Sequence, residues 1–219
     1  MQIETVLIDL TALGVVLFSW RCLPAGRLRW LFIAFFLLFS AYKIYDPASE
    51  WRGLLWLRHL PVYLGELLFY YFISIFSKRY IETDGQTRKP ADVVLRQNFV
   101  VLAPIIIAAT EVSWFQIVTD QGLPHILTLP VIVLVVSLAR LRLAVYTSSY
   151  TRIVALFTVS VGAWIMIHVS EFIVESQKLL PGLDNYMAHI EFFWYIVGAG
   201  LFVYTLQTFK SMTHETPIK

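Results

Sequence analysis

The sequence predicts an all-α fold: a polytopic membrane protein, a seven-transmembrane-helix bundle with its N-terminus outside and its C-terminus cytoplasmic. Three observations predict it. Apolar residues make up 58% of the 219 and charged residues only 15%, and the mean hydropathy is +0.68, which is too apolar for a water-soluble chain of this length. The apolar residues gather in runs close to the roughly 20 that a helix needs to cross the hydrocarbon layer. The Lys and Arg residues between those runs alternate in abundance from one connection to the next.

On that ruler the spans fall at 3–21, 29–46, 53–77, 93–113, 124–145, 151–175 and 187–209. The first has no basic stretch before it and carries Glu4 and Asp9, so it reads as a retained span and not as a cleaved signal peptide. The second is the most uniformly apolar, without a polar side chain from Leu31 to Phe39. In the third, Arg58 and His59 lie near the start and Glu66 near the middle, and Pro61 is expected to kink the helix. The fourth is the weakest, because Arg96, Gln97 and Asn98 sit one turn inside it. The fifth and sixth are apolar along most of their length, and the seventh contains Gly198, Ala199 and Gly200, small residues that permit close helix approach. No internal repeat, low-complexity tract or linker divides the chain, so residues 1–219 read as a single domain.

Orientation follows from the basic residues. With the N-terminus outside, only Lys43, Arg52, Arg58 and Lys178 face outward, leaving 13 of the 17 on the cytoplasmic side. That places the chain as a multi-pass protein of the cell (inner) membrane. The connection from Ser77 to Asp92, SKRYIETDGQTRKPAD, is the one sizeable cytoplasmic loop, with a turn signal at Asp84-Gly85 and a helix stop at Pro90. It reads as a solvated basic loop that fixes topology, with a docking surface for a cytoplasmic partner or anionic lipid as the second reading. A net charge of +2 gives no reason to expect nucleic acid. The single cysteine, Cys22, excludes an intramolecular disulfide and a Cys-based zinc or iron–sulfur site.

The chemistry-bearing residues concentrate on the outer side. Four of the five histidines, His59, His125, His168 and His189, fall there with most of the carboxylates. Trp164, His168, Glu171 and Glu175 recur at spacings of four, three and four, which aligns them along one helical face. After the turn at Pro181-Gly182, His189 enters the seventh helix within about a turn of its start, so His168, Glu171 and His189 form a candidate site for a divalent transition metal. A second stripe, His59, Tyr63, Glu66 and Tyr70, has the same spacing. Glu66 lies roughly 20 Å into the third span at 1.5 Å per residue, where an ionisable group is costly and reads as functional. Tyr63 and Tyr70 are its expected hydrogen-bond partners, and His59, Tyr63 and Glu66 form the candidate cofactor-binding set.

Several activities lack their residues. The seventh span has no lysine before Lys210, so the retinal linkage of rhodopsins has no counterpart. There is no HExxH pair, P-loop, glycine-rich nucleotide fingerprint or nucleophile elbow, and His168-Val-Ser-Glu171 lacks the second histidine of a metallohydrolase helix. These absences favour a non-enzymatic role. The first expectation is a binding or sensing module, or an accessory subunit of a larger membrane complex, with an outward His/carboxylate cluster for a metal or a proton-linked ligand. Such a module implies a membrane or cytoplasmic protein partner besides the lipid bilayer. The alternatives are a small proton-coupled transporter using Glu66, and an electron-transfer subunit in which two of His59, His168 and His189 ligate haem b.

Overall fold

A computed structural model describes residues 3–44, 55–84, 89–119, 128–146, 148–171, 182 and 186–215. Among them all regular structure is helical: α1 (Ile3–Cys22), α2 (Arg27–Ile44), α3 (Leu55–Phe76), α4 (Ala91–Thr119), α5 (Thr128–Ala144), α6 (Thr151–Glu171) and α7 (Met187–Glu215). The α1–α2 connection shows how local chemistry sets an element end. The N–H of Leu23 donates to the carbonyl of Ser19 at 3.0 Å, and Gly26 adopts φ 125°, a conformation that favours glycine. Arg29 then reaches back from Nε and Nη2 to the carbonyl of Leu23, at 3.0 and 2.7 Å, satisfying an acceptor at the end of α1. Its guanidinium also stacks over Trp20, 4.9 Å from the ring centroid.

The segment expected to be a loop from Ser77 begins as helix. Ser77–Ile81 continues α3 as a π-helical turn with Ser77, Tyr80 and Ile81 buried. The adjacent charges Lys78 and Arg79 suggested solvent, but Tyr80 packs its ring on Phe76, Tyr150 and Phe209 at 5.2, 5.4 and 5.1 Å, and that packing holds the extra turn. Asp84 follows in a turn and clamps the α5–α6 connection. Its Oδ2 accepts from the N–H and Oγ of Ser149 at 2.7 and 2.8 Å and from Oγ of Ser148 at 3.2 Å. Burial pushes this carboxyl up, but the donors from Ser149 and Ser148 outweigh it and hold Asp84 below the usual range.

Each helix packs against its neighbours in the chain, and α7 closes the circle against α1. The interior is filled by rings from α2, α3, α6 and α7. Phe35 meets Phe69 at 4.3 Å, Trp164 meets Phe202 at 4.9 Å, and Phe76 meets Phe209 at 5.5 Å. Such offset and edge contacts are the geometries that aromatic quadrupoles favour. Helices α6 and α7 approach closely because of one glycine: a Cβ on Gly198 would lie 2.2 Å from Nε1 of Trp164. Gly200, grouped with it on sequence grounds, faces open space, while Ala199 is buried.

Two helices are long and apolar enough to cross a membrane, at Ala91–Ala108 and Met187–Thr213, and Thr151–Ile167 is apolar but shorter. Of the expectation of seven spans, the described residues show seven helices, of which two have the length and apolarity of a span. Charge and length account for the difference in two others. Helix α2 carries Arg27, Arg29 and Lys43 within its 18 residues, and α5 has only 17. Large apolar side chains nonetheless point outward around the ring, among them Leu10, Leu17, Leu37, Leu64, Val100, Val136, Val159 and Phe193.

Candidate functional site

Helix α3 presents Tyr63, Glu66 and Tyr70 on one buried face, as their spacing predicts. Glu66 has 0% of its surface exposed, and neither carboxyl oxygen meets a hydrogen-bond partner among the described residues. The expected bond from Tyr70 is not made. The Tyr70 hydroxyl donates instead to the backbone carbonyl of Leu95 on α4, and Ser137 of α5 lies within hydrogen-bonding reach of the same hydroxyl. Tyr70 points toward α4 and α5, so its partner is set by which helices neighbour α3. His59 belongs to α3, but its side chain lies outside the described residues.

A second buried polar group faces the same three-helix region. Asn98 of α4 is 5% exposed. Its Oδ1 accepts from Nη1 of Arg140 on α5 at 2.7 Å, while its Nδ2 has no partner among the described residues. Glu66 and Asn98 each stand about one turn from the Tyr70–Leu95 contact, on the same side of it, because α3 and α4 run antiparallel. At about this level α3 carries a buried carboxyl with unmet acceptors, on the same face as Tyr70, and α4 a buried amide with an unmet donor. An unsatisfied buried group of this kind costs about 1–3 kcal/mol. Ionised, the carboxyl would cost far more unless a proton or a cation accompanied it. Sequence reasoning found Glu66 but missed Asn98 and Arg140. The available signal was an amide one turn inside a span, which had counted only against the span.

The outer hairpin is positioned by Trp164. Its Nε1 donates to the carbonyl of Tyr195 at 3.3 Å, and the two rings stack at 5.9 Å with 13° between planes. Counting from that contact along the antiparallel pair, Glu171 is level with His189 to within about a residue, and His168 is level with Glu191. The register therefore separates His168 from His189 by about two residues along the axis, roughly half a helical turn. His189 lies on the exposed side of α7, with its ring edge-on to Tyr186 at 6.3 Å. The side chains of His168 and Glu171, and residues 172–181, lie outside the described residues. Among the described residues no three His, Cys, Asp or Glu side chains gather as a metal site would require. Deeper on α7, the Tyr195 hydroxyl pairs with Ser40 Oγ of α2 at 2.7 Å.

No family model matches this chain, and neither a curated protein nor a solved structure is significantly similar to it.

Proposed function

We propose that this chain is a seven-span protein of the cell membrane, N-terminus outside and C-terminus cytoplasmic, that serves as a binding or sensing module with Glu66 as its responsive group. The observation that carries the reading is the complete burial of Glu66 with both carboxyl oxygens unpartnered among the described residues. A carboxyl so placed has two states, one accompanied by a proton and one by a cation or a protonated ligand. Exchange between them would alter the contacts of α3 with α4 and α5. The unmet Nδ2 of Asn98 offers a ligand a donor in the same sector. The bundle would pass its state to a membrane or cytoplasmic protein partner, as an accessory subunit of a larger complex does.

Support for the seven-span reading comes from the surface. In the windows Ala91–Ala108 and Met187–Thr213 only 33% and 39% of residues are buried, whereas the core helix of a soluble protein would be mostly buried. The exposed leucines and valines of the other helices, and the 13 of 17 basic residues that the sequence assigns to one side, fit a bilayer with that side in the cytoplasm. Support for transport is thinner, because rings from four helices fill the interior. Haem or metal at the outer hairpin has less behind it than Glu66 does, since His189 is exposed on α7.

Infrared difference spectra of the full chain in nanodiscs, recorded between mildly acidic and mildly alkaline pH, test the reading. The expected result is a carboxyl carbonyl band that responds to pH or to added divalent cation and is missing in Glu66→Gln. An identical band in the variant would overturn the role given to Glu66. Glu66-dependent proton flux into liposomes would favour the transporter.

A further inference from the structure

At the basic end of the bundle, α4 and α5 leave a groove of about 560 Å3 on the outer surface, lined by Lys89, Val93, Val94, Gln97, Arg140 and Leu143. Its lining is of two kinds. Lys89, Gln97 and Arg140 supply two cations and an amide donor, whereas Val93 and Leu143 are apolar side chains exposed beside them, Leu143 at 70%. The nearby carboxylates are engaged elsewhere. Asp92 faces Arg96 at 3.8 Å, and Oε1 of Glu82 accepts the N–H of Asp92 at 3.0 Å, capping the first turn of α4. Arg140 gives one N–H to Asn98 and keeps further donors of its guanidinium for a ligand.

The same composition recurs between α1 and α7. There a groove of about 420 Å3 is lined by Phe18, Arg21, Gln207 and Lys210, with Cys22 and Ser211. Arg21 ends α1 and Arg140 lies near the end of α5, so both grooves open at the same end of the bundle. Two cations and a glutamine against an apolar wall suit a phosphate whose remainder is hydrocarbon. A free anion would have no use for the exposed Leu143 and Val93. Basic pockets between helices on the cytoplasmic side are where acidic headgroups bind. We propose that both grooves seat the headgroup phosphate of an anionic phospholipid, with the acyl chains running outward along α4–α5 and α1–α7.

This assignment rests on the membrane reading and is independent of Glu66. Intact-protein mass spectrometry of the detergent-purified full chain, with phosphatidylglycerol or phosphatidylcholine added, tests it. Phosphatidylglycerol should be retained preferentially. Lys89→Gln and Lys210→Gln should each weaken retention of one of the two bound lipids roughly fivefold, as loss of one cation near an acidic surface predicts, and the double variant should bring both to the phosphatidylcholine level. Equal retention of the two lipids, wild-type retention by the double variant, or displacement of phosphatidylglycerol by an equal concentration of inorganic phosphate would each overturn the proposal. A chain that stays in solution without detergent would defeat the membrane reading itself, whereas a detergent-dependent but lipid-indifferent chain would defeat only the groove assignment.

Discussion

The bundle has two unlike sectors that share α3. Toward α2, α6 and α7 the interior is aromatic, ring against ring from Trp164 and Tyr195 at one end to Tyr80 and Tyr150 at the other. Toward α4 and α5 it holds Glu66, Asn98, Tyr70 and Ser137, with unmet polar atoms on Glu66 and Asn98 among the described residues. One face of α3 thus completes the aromatic core, and the other borders polar atoms without a partner among the described residues. If the bundle spans a bilayer as proposed, there is no hydrophobic force between its helices, and close packing and interhelical hydrogen bonds hold them together. The aromatic sector supplies that cohesion. The polar sector gives up part of it, which is the expected signature of a site as against a scaffold.

Substitutions of opposite sign would sharpen this contrast. The largest loss is expected for Trp164→Ala, which empties a position where α2, α6 and α7 meet and removes the bond to Tyr195. Unfolding in mixed micelles should show about 3–5 kcal/mol of destabilisation; a change under about 1 kcal/mol would dissolve the distinction between sectors. Glu66→Leu should do the reverse, raising stability by about 1–3 kcal/mol as the unmet carboxyl disappears. A comparable loss in the same assay would mean that Glu66 has a structural partner after all. Gly198→Ala must displace the Trp164 ring and should cost about 1–3 kcal/mol, whereas Gly200→Ala, with open space around it, should be neutral or slightly stabilising. Equal effects at the two glycines would contradict the close approach of α6 and α7.

The smallest expected effect lies outside both sectors, at the Asp84 clamp. The folded carboxyl is held below its ordinary range, so the clamp contributes fully above about pH 4. Its contribution falls away as pH drops through the lower folded value. Asp84→Asn should therefore cost about 1 kcal/mol at neutral pH and nothing in strong acid, read as the difference between melting curves at the two pH values. A difference that persisted in acid would show that the hydrogen bonds do not depend on the charge.

Much of this was legible in the chain because, on the membrane reading, lipid makes composition speak directly. The bounds expected for the first three helices fall within two residues of α1, α2 and α3, since an apolar run must end where water begins. The burial of Glu66 was legible for the same reason, as outward exposure at that depth is the costly alternative. Tyr70 shows where the signal stops. Its spacing gives its face, but whether that face meets Glu66 or the carbonyl of Leu95 depends on the neighbouring helix and its register. Arg140 was weighed only as a topological charge, because its partner Asn98 lies 42 residues away and neither residue points to the other in sequence. The turn at Ser77–Ile81 was hidden by its own charges, Lys78 and Arg79, beside buried Tyr80 and Ile81.

The closed circle of consecutive helices also bears on how such a chain assembles. Neighbours in sequence are neighbours in space, so on the proposed membrane reading hairpins can form pairwise as each segment enters the bilayer. The aromatic interior cannot, because Phe32 and Phe72 come from the first half and Phe157 and Phe202 from the last two helices. On the seven-span reading proposed above, those early rings would face acyl chains until α6 and α7 arrive. That wait is tolerable in hydrocarbon and would invite aggregation in water. The bundle thus suits co-translational insertion, in which the last helix to emerge both fills the centre and seals the seam against the first.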